Sequence, residues 1–159
     1  MGSRSNNDIA YIAGFLDGDG SLMLQLKKRS DSKRQWRFMC TICFYQDSRH
    51  KTPLSWIRNV LGIGYLSDRN DGMSELRING FLQVREIMRQ LVPYIRFKKV
   101  QAQALLKAAE LLSRKTARQL SRQELRKLVA LMVIIQSDNY ATKSKKTREE
   151  LLRMLGLTP

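Results

Sequence analysis

Histidine, cysteine and proline are scarce in this sequence of 159 residues, which contains one histidine, two cysteines and three prolines. The cysteines, Cys40 and Cys43, form a lone C-x-x-C pair. A second pair of ligands is missing, and His50 is the only histidine. A tetrahedral zinc site would need four such ligands. We therefore interpret both cysteines as strand residues and set zinc and redox chemistry aside.

Long hydrophobic runs are also missing. The sequence has no run of about 18 apolar residues and no signal peptide. Membrane insertion is disfavoured, and we expect a soluble, intracellular protein. The length and a hydrophobic content of 43% favour one domain, which we place at residues 7–159, with residues 1–6 outside it.

Acidic residues are outnumbered by basic ones. Lysine and arginine together number 29 and aspartate and glutamate 14, which gives a formal net charge of +15 and a pI near 10.3. This excess is larger than solubility requires. It indicates a polyanionic partner, and nucleic acid is the first candidate.

Apolar periodicity predicts the order α-ββ-α-ββ-α followed by extra helices, with no internal repeat. The first helix is hydrophobic nearly all round, so we expect it to be buried on several sides. The strands alternate between apolar and polar residues, which is typical of a half-buried antiparallel sheet. The predicted helices cover residues 7–17, 52–62, 81–91, 98–113, 121–136 and 147–155, and the strands cover 21–29, 37–45, 65–69 and 73–79.

Residues 12–20 read Ile-Ala-Gly-Phe-Leu-Asp-Gly-Asp-Gly. Small residues in a helix let a second helix approach closely, and an acidic residue at a helix C-terminus attracts a divalent cation. An EF-hand is excluded because Leu22 and Lys28 occupy the positions of its glycine and glutamate. A phosphate-binding G-x-G-x-x-G loop is excluded because Met23 occupies the third glycine position.

This segment resembles the LAGLIDADG motif, and the chain from about Asn7 to Lys146 resembles the LAGLIDADG homing endonucleases. The resemblance implies an α+β saddle with a four-stranded antiparallel sheet, and a metal-dependent DNA endonuclease that leaves short 3′ overhangs. Because this chain has one motif, it implies a homodimer that joins through Ala13 and Gly14. Asp19 and the Gly18 carbonyl would bind Mg²⁺, for which Mn²⁺ or Ca²⁺ could substitute in binding.

The resemblance also implies further catalytic residues. Gln46 matches a glutamine at the end of the second strand, and the basic residue that follows it is either His50 or Lys51. The segment Pro-Tyr-Ile-Arg-Phe-Lys ends at Lys98, which matches the active-site lysine of the family. A lysine near the scissile phosphate can stabilise developing charge.

The outward face of the predicted sheet mixes donors, acceptors and apolar side chains, which suits base edges. A nine-residue strand spans about 30 Å, so two saddles would cover roughly 18–22 base pairs of a pseudo-palindrome. We expect Lys143, Lys145 and Lys146 to bind phosphates. The predicted base-contacting residues are Met23, Gln25, Lys27, Arg29, Arg37, Met39, Thr41, Cys43, Ser67, Arg69, Glu75 and Arg77.

Two other functions stay open on the same scaffold. An RNA maturase that assists intron splicing would use the same positive surface. A DNA-binding protein that does not cleave would be expected to lose the acidic residues of the motif. Those residues are present, which favours a nuclease.

Overall fold

An antiparallel sheet of four strands organises the fold in this computed structural model, which describes residues 4–30, 35–139 and 145–157. The strand order is β1-β2-β4-β3. The strands are β1 (Gly20–Lys28), β2 (Trp36–Asp47), β3 (Tyr65–Asp68) and β4 (Met73–Asn79). The helices are α1 (Asn6–Asp19), α2 (Thr52–Leu61), α3 (Phe81–Leu91), α4 (Lys99–Arg114), α5 (Arg122–Asp138) and α6 (Arg148–Met154). The predicted fold class is confirmed.

The sheet has a buried face and an outward face, as the alternation of apolar and polar residues predicted. In β1, Leu22, Leu24 and Leu26 are buried in the core, and in β2 Phe38 and Phe44 join them. All three pairs of neighbouring strands are antiparallel. Helices cover the inner face, so the opposite face is left for a ligand.

One side of helix α1 packs into this core, and its other side is exposed. Ile9, Ile12 and Leu16 are buried, whereas Tyr11 and Gly14 are exposed. The expectation that the helix is buried on several sides is therefore wrong for the single chain. A residue spacing of three and four places the exposed positions on one stripe.

The folded region begins earlier than residue 7. The Ser5 side chain caps α1 by accepting a hydrogen bond from the Asp8 backbone N–H at 3.0 Å. The Arg4 guanidinium donates to the carbonyls of Val60 and Leu61 at the end of α2, at 3.0 and 2.5 Å. A cation at a helix C-terminus is stabilised by the exposed carbonyls there. Arg4 and Ser5 thus belong to the fold, and the predicted boundary is too late.

The C-terminal helices begin where their capping residues predicted. Ser121 and Glu124 form a capping box at the start of α5, and Thr147 and Glu150 form one at α6. Each box satisfies backbone N–H groups that the first helical turn leaves without a partner. In the part of the chain that the structure describes, no helix has the length and apolar character needed to cross a membrane.

Candidate active site and nucleic-acid interface

The motif helix runs directly into the sheet, and glycine is required at the junction. A Cβ atom at Gly20 would lie 2.9 Å from the backbone oxygen of Cys43 on the neighbouring strand. Backbone atoms cannot move away as a flexible side chain can, so only glycine allows this approach. The close contact places Asp19, the last residue of α1, at the edge of the outward face.

Asp17 points inward and is buried, with an exposed fraction of 9%. One of its carboxylate oxygens accepts backbone N–H groups from Arg96 at 2.6 Å and Phe97 at 3.1 Å. Its other oxygen accepts the backbone N–H of Lys98 at 2.9 Å. Asp17 therefore binds the turn that leads into α4, and this role was not predicted.

The Lys98 side chain returns to the same helix end. Its Nζ donates to the Leu16 carbonyl at 3.1 Å and to the Asp17 carbonyl at 2.6 Å. Burial lowers the pKa of Lys98, and the nearby carboxylates of Asp17 and Asp19 oppose that shift. The predicted active-site lysine thus lies beside the end of the motif helix.

Asp19 and Gly18 are exposed, and no described residue donates a hydrogen bond to the Asp19 carboxylate. Carboxylate and carbonyl oxygens are the ligands that Mg²⁺ prefers. Among the residues that the structure describes, no group of three or more His, Cys, Asp or Glu side chains could hold a metal ion. The donors of one chain fit part of a magnesium site, and further ligands would have to come from elsewhere.

Gln46 and the two basic candidates lie at the end of β2 and just beyond it. The Gln46 side-chain oxygen accepts the Asp47 backbone N–H at 2.8 Å. Lys51 donates to Asp68 at 2.8 Å, so that its ammonium is held at β3. His50 is exposed at the end of the short turn Ser48–His50. Both candidates follow Gln46 closely in sequence, and the choice between them stays a prediction.

Most of the predicted base-contacting side chains lie on the accessible outward face. Lys27, Arg37 and Arg69 are exposed. The half-buried members are Met23, Gln25, Arg29, Met39, Ser67, Glu75 and Arg77. Arg77 pairs with Glu75 at 3.1 Å, which orients both side chains.

Two of the predicted contacts are wrong. Thr41 and Cys43 belong to the outward face but are completely buried. Their strand is flanked by β1 and β4 at these positions, and neighbouring side chains cover them. Thr41 also donates to the Asn79 side chain at 2.7 Å. Neither side chain can reach a base without rearrangement.

Tyr65 and Tyr45 were missed as candidates for contact with bases. Tyr65 is 70% exposed, and its partner across the strands is Arg77. Tyr45 binds Ser21 at 3.0 Å, and the Arg69 guanidinium lies 6.0 Å from the centre of its ring. The alternation that predicted Ser67 also places Tyr65 on this face, so the sequence contained the signal.

The residues predicted for dimer contact and for phosphate binding also differ in how exposed their side chains are. Gly14 is exposed, and a Cβ there would meet nothing within 4 Å. Ala13 is completely buried in the core of its own chain, so its assignment to the dimer interface is wrong. Lys145 and Lys146 are exposed before α6, and Lys143 lies outside the described residues.

The fold and site together define a saddle-shaped class of α+β protein, in which one motif helix per chain presents an acidic residue at the edge of a basic sheet. Residues 12–108, more than half of the chain, match the family described as LAGLIDADG endonuclease. The chain belongs to this family, and the predicted resemblance is confirmed.

Known relatives agree with this assignment. The chain is 32% identical over 97 residues to DNA endonuclease I-CvuI of Chlorella vulgaris, covering 61% of this chain and 60% of that protein. It is 29% identical over 111 residues to DNA endonuclease I-CreI of Chlamydomonas reinhardtii, covering 69% and 68%. A crystal structure of the homing endonuclease I-CvuI in complex with its target in the presence of Ca superposes with a TM-score of 0.83. That superposition has 25% identity and covers 97% of this chain and 98% of that one.

Proposed function

We propose that this protein is a site-specific DNA endonuclease that acts as a homodimer on a long, nearly palindromic duplex and hydrolyses one phosphodiester bond in each strand. The observation that carries the proposal is the exposed Asp19 carboxylate at the end of a helix whose glycine-bearing side is also exposed. The names of the curated relatives, both DNA endonucleases, support the same reaction.

A second copy is the partner that this helix side suits best. Gly14 and Gly18 lie on the exposed stripe and have no side chain, so a second helix could approach closely. A twofold arrangement pairs the same surface on both protomers and gives two carboxylates at one axis. It also supplies two sheets that follow one duplex.

The donor oxygens of Asp19 and Gly18 suit Mg²⁺, with Mn²⁺ or Ca²⁺ as substitutes in binding. When bound, the metal supplies Lewis acidity that activates water and offsets charge on the scissile phosphate. Lys98 adds a positive charge beside these donors, and Gln46 and His50 offer groups that can orient the attacking water. Short 3′ overhangs are the expected product.

The outward face provides the means of site recognition. Arg37, Arg69 and Arg77 can donate to guanine in the major groove, and Gln25 can bind adenine. The nine residues of β1 correspond to about 30 Å of duplex, so two protomers would read roughly 18–22 base pairs. Lys143, Lys145 and Lys146, which precede α6 in sequence, would bind phosphates.

Cleavage selection tests this proposal. A plasmid library with a randomised palindromic insert is incubated with the protein and Mg²⁺, and cut molecules are recovered and sequenced. Enrichment of one site of roughly 18–22 base pairs supports the proposal. Binding to a particular duplex without cleavage under Mg²⁺ or Mn²⁺ would contradict it, and so would preferential binding of structured RNA.

A further inference from the structure

We propose that Asp17 is a positioning residue that holds Lys98 against the metal-binding end of the motif helix. This inference rests on the proposed endonuclease function and assigns separate tasks to the two acidic residues of the motif. Asp19 faces outward toward metal and DNA. Asp17 faces inward and sets the place of the lysine.

Both oxygens of the Asp17 carboxylate bind the turn before α4. Its two oxygens accept three consecutive backbone N–H groups, from Arg96, Phe97 and Lys98, at 2.6, 3.1 and 2.9 Å. Such bonds to a charged acceptor are roughly twice as strong as bonds between neutral groups. With 9% of its surface exposed, Asp17 is poorly placed to bind a metal.

Lys98 is held at both ends of its side chain. Its backbone N–H binds the Asp17 carboxylate, and its Nζ binds the carbonyls of Leu16 and Asp17. All three acceptors belong to one turn of α1, so the backbone and the ammonium group of Lys98 are fixed relative to that turn. This turn ends in Asp19, whose carboxylate also attracts the lysine.

The ammonium group keeps a donor for the reaction. A lysine has three N–H donors, and two of them bind the helix carbonyls. The third is left available for a phosphate or a water. Misplacement of a catalytic group by about 1 Å can reduce a rate about 100-fold, so fixing both ends of the side chain matters for cleavage.

Asn is the informative replacement at position 17. It has nearly the same shape, but its one oxygen cannot accept all three N–H groups, and its NH₂ group must oppose at least one of them. The turn should loosen while the helix stays folded. We expect amide hydrogen exchange at residues 96–98 of Asp17→Asn to rise at least tenfold, with exchange in the sheet unchanged.

A double-mutant cycle with Lys98→Met tests whether Asp17 acts through the lysine. The substrate is a duplex carrying the site recovered by the library selection. We expect Asp17→Asn to cut about 100-fold more slowly with affinity within about threefold of the parent. If the residues act as a unit, Asp17→Asn combined with Lys98→Met should be no slower than Lys98→Met alone.

Glu86→Gln is the matched control, because it removes one negative charge from an exposed position on α3 and should leave cleavage unchanged. Unchanged exchange at residues 96–98, or losses that multiply in the double mutant, would overturn the proposal. If the parent protein cuts no site, the proposed function fails, while the exchange measurement still decides whether Asp17 holds this turn.

Discussion

At the scale of single residues, the motif shows how position along one helix turn decides the task of a carboxylate. Asp17 and Asp19 are two residues apart, which turns their side chains about 200° from each other around the helix axis. Asp17 is buried among backbone N–H groups, and Asp19 is exposed. The same side-chain chemistry therefore gives an anchor at one position and the proposed metal ligand at the other.

Replacing Asp19 by Asn should abolish cleavage and spare binding. The change keeps the shape of the side chain but removes one negative charge per protomer where Mg²⁺ must be held. Because Asp19 is exposed, we expect the melting temperature to change little, and DNA affinity should be equal or higher through weaker repulsion of phosphates. Cleavage assays, gel shifts and thermal unfolding check each part. Cutting near the parent rate would place the chemistry elsewhere, and unfolding would make Asp19 structural.

The thiol of Cys40 should make stability depend on alkaline pH. Burial raises its pKa to about 12, whereas the pKa of an unfolded thiol is about 8.5. The folded state therefore binds more protons than the unfolded state between these values, and its free energy of unfolding should fall as pH rises through that range. Urea unfolding from pH 8 to 11 measures this slope.

Cys40→Ala is the control for that slope, because it removes the titrating group from the same position. The variant should be less stable at pH 8 through lost packing but should show a shallower slope. Burial also raises the pKa values of Cys43 and Tyr45, so these groups should account for the slope that remains in the variant. An equal slope in both proteins would show that Cys40 does not titrate as its burial implies.

At the scale of secondary structure, most element boundaries could be predicted because local patterns determine them. The capping boxes at Ser121 and Thr147 mark helix starts in the sequence, and the alternation of Leu22, Leu24 and Leu26 identifies a strand face. Burial on the outward face could not be predicted in this way. Thr41 is buried because β1 and β4 lie on both sides of it.

Helix α1 shows a second limit of local patterns. A helix that is apolar nearly all round gives no sign of which side meets its own core, so Ala13 was placed on the wrong side. The roles of Arg4 and Asp17 depend on partners more than 50 residues away in sequence, at Val60 and Lys98. Only the folded chain brings these groups together.

Replacing Gly14 by Leu should separate the protomers without unfolding them. A Cβ at Gly14 meets nothing within 4 Å in its own chain, so the monomer can accept the side chain, whereas a closely packed second helix cannot. We expect a monomer in analytical ultracentrifugation that still unfolds cooperatively on heating, and no cleavage.

Ala130→Leu serves as the comparison, because it also places a leucine at an exposed helical position, on α5. It should remain dimeric and active. A dimer of Gly14→Leu that cuts at the parent rate would show that the motif helix packs against something other than its counterpart.

At the scale of the whole molecule, we expect a formal net charge of +15 to give affinity for any duplex, and the proposed base-contacting face of the sheet to add selectivity. We expect Lys145→Ala with Lys146→Ala to weaken binding similarly on all sequences and to lower the slope of log affinity against log salt concentration by roughly one to two.

Arg77→Ala should by contrast cost about 1–3 kcal/mol of binding free energy at particular base pairs. Binding isotherms at salt concentrations of about 50 to 300 mM, over which screening changes, measure both effects. Equal losses on every sequence for Arg77→Ala would refute its assignment to base contact.

The contact between Asp17 and the turn at residues 96–98 also has a consequence for folding kinetics. Its bonds join residues 79 to 81 positions apart, so closing the intervening loop has a high entropic cost. Contacts between residues so far apart in sequence usually form after local helices and hairpins. Loss of the Asp17 carboxylate should therefore speed unfolding more than it slows folding. A nascent chain could form this contact only after residue 98 has emerged from the ribosome.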